Sequence, residues 1–367
     1  MSSRVLLGTY IAAAVIAAGT LLAAPATTLP PATVATKEPL SAIPATTGGV
    51  FPVADDRPTL ATSTPTDAPT QVAAVAATPT STEATPAPET SVDVNAKTRA
   101  ALVNIFCSSK NGGPISGSGI VVDSRGVILT NAHVGQFLLL QNALPDQVQC
   151  TVRTGSPAKP AYHAKLLYLS TAWMAENADK ISEKHATGSG ENDYAFLYIT
   201  GPVESATMGE LSAVKMTTNR PSRGAPVLLA GYPAGFLDSA TIEKDLYITS
   251  SFTTVENLFT FNDNDQQVDL VSVGGTVVSQ SGASGGSVVR QQDGTLLAVI
   301  ATATNASNTA ARDLRAITVA HIDRSLAAEG KGGIIALLTG DLPQKVADFH
   351  TQLAPELTQK LLDGLKK

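Results

Sequence analysis

Residues 116–134 read SGSGIVVDSRGVILTNAHV. Two apolar runs, GIVVD (119–123) and GVILT (126–130), flank a DSRG turn signal, so the stretch predicts a tight β-hairpin. His133 follows where the second strand runs out. A polar side chain placed at the end of a strand is one that a barrel presents to a cleft.

The same texture repeats on the C-terminal side. YAFLYI (194–199), PVLLAGY (226–232), VDLVSV (268–273) and TLLAVIATA (295–303) have strand length and many β-branched residues, and ALVNIFC (101–107) precedes the hairpin. QQDG (291–294) is a second turn signal. Short strands set between Gly, Asp, Asn and Pro predict an all-β sandwich or barrel. Two segments depart from this. Residues 170–186, STAWMAENADKISEKHA, read as a helical insertion with Trp173, Met174 and Ile181 on its apolar side. From about residue 320 the pattern turns helical, with Val346, Phe349, Leu353, Leu357 and Leu361 recurring on one face. Pro355 should kink or divide that helix.

The N-terminal quarter is of another kind. After Arg4, residues 5–24 (VLLGTYIAAAVIAAGTLLAA) carry no charge, which reads as a signal peptide or an N-terminal membrane anchor over residues 1–24. Either places the rest of the chain outside the cytoplasm. Residues 25–96 are rich in Pro, Thr and Ala and hold more than half of the chain's 22 prolines. A segment so poor in large apolar residues cannot offset its ordering entropy, so a disordered linker is expected. The net charge of −6 supplies no basic face for nucleic acid. Export permits a disulfide between the chain's two cysteines, Cys107 and Cys150, worth roughly 4 kcal/mol in the chain-entropy model. The alternative is two separate buried thiols. No histidine stands at ligand spacing beside them, and no metal or cofactor is expected.

SQSGASGGSVV (279–289) crowds small residues around the hydroxyl of Ser284. A serine is a weak nucleophile unless a base takes its proton and an acid orients that base. Backbone N–H groups must also meet the developing oxyanion, and glycines let them converge without a Cβ in the way. Of the five histidines, His163 and His185 fall in polar insertion sequence and His321 and His350 in the helical C-terminal part, which leaves His133. The acid candidate is Asp193, in GSGENDYAFLYIT (188–200), at the polar entrance of an apolar strand. Its plain alternative is a turn residue at a strand start.

Taken together, TNAHV, DYAFL and GASGGS resemble the three catalytic motifs of trypsin-like, chymotrypsin-fold serine proteases, nearest to the bacterial secreted and HtrA-like branches. The resemblance covers roughly residues 98–325. It implies two six-stranded antiparallel β-barrels in a protease domain over 97–330, with a helical extension over 331–367. It implies that Ser284 is the nucleophile, His133 the base and then acid, and Asp193 the orienter. The N–H groups of Gly282 and Ser284 would form the oxyanion hole. By the same resemblance Val278, Ala301, Thr302 and Ala303 would line the pocket for the side chain before the scissile bond, with a small or apolar preference. The substrate would be a peptide or protein.

Some features differ from the family's pattern. Ala283 stands where animal trypsins carry an Asp that pairs with a newly cut N-terminus, so activation by that ion pair is not expected. Ser287 replaces a more usual Pro. No cysteine adjoins His133 or Ser284, and a peptide-binding PDZ module is not indicated. GASGG also fits the G-x-S-x-G elbow of α/β-hydrolases, but the residues after it, GGSVVRQQDGTLLAVI (285–300), have a β-hairpin pattern instead of a helix. A catalytically inactive, surface-tethered binding module is the remaining alternative. Asn305-Ala306-Ser307 matches a glycosylation sequon and is read as chance.

Overall fold

The computed structural model describes residues 90–110, 114–181, 189–204, 210–262, 264, 266–303 and 308–366. The signal or anchor segment (1–24), the linker up to residue 89, His185 and the Asn305 sequon lie outside the described residues. Among the described residues, no helix is long and apolar enough to cross a membrane.

Helix α1 (Ser91–Ala101) begins within the span expected to be linker. Thr90 is the reason. Its side chain accepts the Asp93 N–H while the Asp93 carboxylate accepts the Thr90 N–H, a capping box that starts the helix. Strands β1 (Leu102–Ser109), β2 (Ile115–Asp123), β3 (Val127–Thr130), β4 (Val148–Thr154), β5 (Lys159–Leu169) and β6 (Ala195–Pro202) then close into an antiparallel barrel, in the order β1-β2-β3-β6-β5-β4. The hairpin of residues 116–130 is β2–β3, with Ile120 opposite Leu129. Cys107 and Cys150 face each other across β1 and β4 and are bonded, S–S 2.09 Å.

The second half is a seven-stranded antiparallel sheet. Its members are β7 (Pro226–Gly231), β8 (Thr249–Thr254), β9 (Asn257–Phe259), β10 (Leu270–Ser272), β11 (Ser287–Arg290), β12 (Leu296–Ala303) and β13 (Leu314–Thr318). They lie in the order β8-β7-β11-β12-β13-β10-β9. The expected second barrel appears here as a half-barrel sheet, in which one strand is counted twice. The edges β8 and β9 are consecutive in the chain, joined by Val255 and Glu256 alone. Val255 N–H donates to Ala225 C=O (3.0 Å) and Glu256 N–H to Ser272 C=O (2.8 Å), so one bent strand pairs first with β7 and then with β10. Such a corner lets a strand change partners as the sheet curls.

Helices fill the margins: α2 (Ala132–Ala143), α3 (Thr171–Asn177), α4 (Ser239–Lys244), α5 (Val319–Ala328), α6 (Gly333–Leu338), α7 (Leu342–Gln352) and α8 (Ala354–Gly364). Of the expected 170–186 insertion, residues 170–181 are described, and they include α3 and a following 3-10 turn. His163 lies on β5 and not in an insertion. The N-terminal half of that strand is polar and largely exposed, which hid it from an apolar pattern. Pro355 sits in the first turn of α8 and divides it from α7, and the C-terminal helical part begins at Val319, as the pattern from about residue 320 led one to expect. Val346, Phe349, Leu357 and Leu361 are buried against the first barrel's core.

Two polar ties fix this frame. Arg153 of β4 is fully buried. It donates to Asn104 Oδ1 (2.8 Å), to the Glu243 carbonyl (2.8 Å) and to the Ile242 carbonyl (3.0 Å), and stacks over Phe106 at 4.2 Å. Burial pushes its pKa down to about 10, still above neutrality, so the charge remains. It thereby caps the last carbonyls of α4, which belongs to the second half. Glu329, just past α5, is the other tie. Oε2 accepts from Tyr168 Oη (2.7 Å), Thr171 N (2.8 Å) and Thr171 Oγ1 (2.6 Å), and Oε1 from Ser170 Oγ (2.9 Å) and Tyr194 Oη (2.9 Å).

Burial opposes the charge of Glu329, but these donors outweigh it and hold the carboxyl below its ordinary 4.5. A lowered folded pKa contributes stability that is present above the unfolded value and lost as pH falls through the folded one. Glu329→Gln should therefore lower unfolding stability by about 2 kcal/mol near pH 7, as charge-assisted hydrogen bonds are weakened. Urea unfolding at a series of pH values should show the wild-type advantage intact above about pH 5 and fading below it. An advantage that does not change with pH would mean that the Glu329 charge contributes nothing.

Candidate active site

The hairpin β2–β3 delivers the chain to Asn131, and α2 begins at once, so His133 occupies the first turn of a helix. The backbone N–H groups there have no partner within the helix. Asn131 does not cap them with its side chain. Instead Asp193, from the loop before β6, does so from a distance of 60 residues: His133 N–H donates to Asp193 Oδ1 at 2.9 Å. The other oxygen, Oδ2, lies 2.7 Å from His133 Nδ1. One carboxylate thus grips both the backbone and the ring of the same residue, at a helix end that favours negative charge. With Nδ1–H directed at Asp193, Nε2 is left as the acceptor.

Asp193 is itself held in place. Asn131 Nδ2 donates to its carbonyl (2.8 Å), and its N–H donates to Gly190 C=O (3.2 Å). The residue before it, Asn192, has φ +59, a left-handed conformation that asparagine tolerates. Asn192 Oδ1 accepts from Ser325 Oγ (2.7 Å), and Tyr194 Oη reaches Ser325 and Glu329. The acid's loop is therefore pinned to α5. The Asp193 side chain is 6 % exposed and that of His133 38 %, so the ring reaches solvent or substrate while its orienter does not.

Ser284 lies in the turn before β11, half-buried, between the buried Ala283 and Gly285. The turn rests on the first barrel. Ser284 C=O accepts the Ser118 N–H of β2 (2.7 Å), and Gly285 N–H donates to Ile300 C=O on β12 (2.8 Å). Gly285 has φ +83, and a Cβ there would lie 2.0 Å from Ser118 O and 2.4 Å from Thr130 Oγ1. Thr130 is three residues before His133, so the serine's turn and the histidine's helix share one patch of the barrel. Gly282 has φ +88, and a Cβ there would meet Tyr232 O at 2.7 Å. Here glycine is needed for both conformation and space.

The pocket residues are placed unevenly. Val278 is fully buried in the apolar core of the second sheet, and Ala301 is buried at the end of a run of core residues on β12. Thr302 and Ala303 pair through their backbones with Arg315 and Leu314 of β13. Sequence reading missed Ser118, Thr130 and Asn131 as site residues, although all three stand within residues 116–134. The available signals were a serine between two glycines and a polar pair directly after an apolar strand.

Electrostatics favours a charged imidazole more than usual. Burial alone would push the His133 pKa down, but the Asp193 charge and hydrogen bond outweigh it and raise the pKa above the ordinary 6.5. Histidine-labelled NMR should find the His133 midpoint above pH 6.5, and Asp193→Asn should bring it down. An unshifted midpoint in that variant would show that Asp193 does not act on the ring. Gly285→Ala should cost on the order of 3 kcal/mol in thermal or urea unfolding, through strain and overpacking.

Residues 117–299 match the family model of the trypsin-like peptidase domain. The matched span begins in β2, ends in β12, and includes His133, Asp193 and Ser284. Comparison with curated proteins finds no match. The closed barrel, the curled second sheet and this match together give the chain a trypsin-like fold and support a protease-type function.

Proposed function

We propose that the chain is an exported serine endopeptidase that cleaves peptide or protein substrates through Ser284, His133 and Asp193. The observation that carries this reading is the double hold of Asp193 on His133, beside the turn that bears Ser284. Ser284 Oγ attacks the peptide carbonyl carbon as His133 Nε2 takes its proton. The N–H groups of Gly282 and Ser284 receive the oxyanion. The tetrahedral intermediate collapses, the C–N bond breaks, and His133 gives its proton to the leaving amine. Water, deprotonated by His133, then attacks the acyl carbon; the ester C–O bond breaks, the acid leaves, and His133 returns the proton to Ser284 Oγ. Asp193 stays ionised and keeps the imidazole in the required tautomer. The scheme needs no metal or cofactor.

Export is supported by the uncharged residues 5–24 and by the Cys107–Cys150 bond, which suits an oxidising compartment. The motifs favour the bacterial secreted and HtrA-like branches. Val278 and Ala301 supply no charge, which suits a small or apolar side chain before the scissile bond.

Treatment of the protein with a fluorophosphonate should give one adduct, mapped by mass spectrometry to Ser284 and lost in Ser284→Ala and His133→Ala. Asp193→Asn should reduce kcat by about 10⁴, the loss in the protease template. A well-folded wild type that takes no adduct would favour the binding-module alternative, and cleavage by Ser284→Ala would mean that another residue is the nucleophile.

A further inference from the structure

Ser118 is fully buried on β2, and all its polar atoms are used. Its Oγ accepts the Tyr232 N–H (2.8 Å) and donates to the Gly282 carbonyl (2.7 Å). Its N–H donates to Ser284 C=O (2.7 Å), and its C=O accepts from Thr130 Oγ1 (2.7 Å). Three of these four bonds leave the first barrel for the segments around Ser284.

Those segments form one device. Gln280 to Ala283 make a turn closed by Ala283 N–H to Gln280 C=O (3.2 Å), with Gly282 at its third position at φ +88, the type II pattern. The middle peptide of such a turn, 281–282, is the one that can flip. Here Ser281 C=O accepts the Ala234 N–H (2.7 Å). A trans peptide sets its N–H opposite its carbonyl, so the Gly282 N–H faces away from Ala234. Ala234 is two residues past Tyr232, whose N–H Ser118 holds. One hydroxyl therefore secures both the turn and the loop that orients its middle peptide. Among the described residues, neither the Gly282 nor the Ser284 N–H donates to a protein acceptor.

We propose that Ser118 is a positioning residue that keeps the Gly282 and Ser284 N–H groups set for an oxyanion before any substrate arrives. This rests on the protease reading of the same site. Alanine at 118 would leave the buried Tyr232 N–H and Gly282 C=O without their partner, and the turn could regain hydrogen bonds only by rotating its peptides.

The test uses the full chain with a peptide substrate, the matching peptidyl trifluoromethyl ketone and the product peptide, each normalised to folded protein by circular dichroism. Ser118→Ala should lower kcat on the order of 10²-fold, comparable to loss of one oxyanion donor, with KM within about twofold. Affinity for the ketone, which forms a tetrahedral oxyanion, should fall by about the same factor while product binding and the His133 pH midpoint stay put. Ser118→Cys, similar in shape but a weaker donor and acceptor, should fall between and decides the matter if the alanine variant does not fold. Unchanged kcat, or a kcat loss without loss of ketone affinity, overturns the role of Ser118 alone. A wild type inert to both ketone and fluorophosphonate overturns the protease reading and this inference with it.

Discussion

Where the Ser284 turn meets strand β2 at Gly285, there is no room for a side chain. At Gly285 a Cβ would stand 2.0 Å from the Ser118 carbonyl, and at Gly286 one would stand 2.6 Å from the Ala230 carbonyl. This backbone-on-backbone contact sets the geometry around it. The buried backbone here is paired: Ser118 N–H donates to Ser284 C=O across the seam, and Ile300 N–H of β12 donates to Gly286 C=O within the second half. The seam also fixes the serine relative to the hairpin whose end becomes the helix of His133. The position of Ser284 relative to the first barrel therefore rests in part on paired backbone.

The acid arrives from a different direction and needs its own support. Asp193 stands in a loop, and loops are the least constrained part of a barrel. The chain's answer is α5. Its first turn is anchored in the second sheet, where His321 and Arg324 share the buried Asp269. Its far end presents Ser325 and Glu329 to Asn192 and Tyr194 on either side of Asp193. The helix is thus a strut from the half that carries Ser284 to the loop that carries the acid. Arg153 crosses in the opposite sense, from the first barrel to α4. Each crossing ends on several hydrogen bonds, so each places its target in direction as well as in distance.

The sequence revealed the parts of this that are local. The hairpin was legible because two short apolar runs and a DSRG turn lie within one short window. His133 was legible because it ends that window. The division of the C-terminal helix at Pro355 follows from the chemistry of one residue. The hidden parts depend on distant partners. Ser118 and Gly282 are 164 positions apart, and the acceptor is a backbone carbonyl that no residue type announces. The donors of Glu329 lie up to 161 positions away. His163 was misplaced because the outer half of β5 is exposed and carries no apolar period. The expected second barrel is a half-barrel sheet of seven strands, because a single strand bends at Val255–Glu256 and becomes two.

Ala283 shows why these distant partners matter. It is wholly buried in an apolar cluster with Val278 and Val288. By the family resemblance, animal trypsins put an Asp here and neutralise it with a new N-terminus. In this chain a carboxylate at 283 would be a charge in an apolar core, with a cost of several kcal/mol unless paired. The position is instead filled by a methyl group, so no ion pair has to form for the turn to be stable. The work of orienting the turn passes to neutral groups: the Ala234 N–H on one side and the Ser118 hydroxyl on the other. Neutral hydrogen bonds between buried backbone and a buried hydroxyl vary little with pH or salt and do not wait for a cleavage elsewhere in the chain. A site built this way would be set once the two halves have folded against each other.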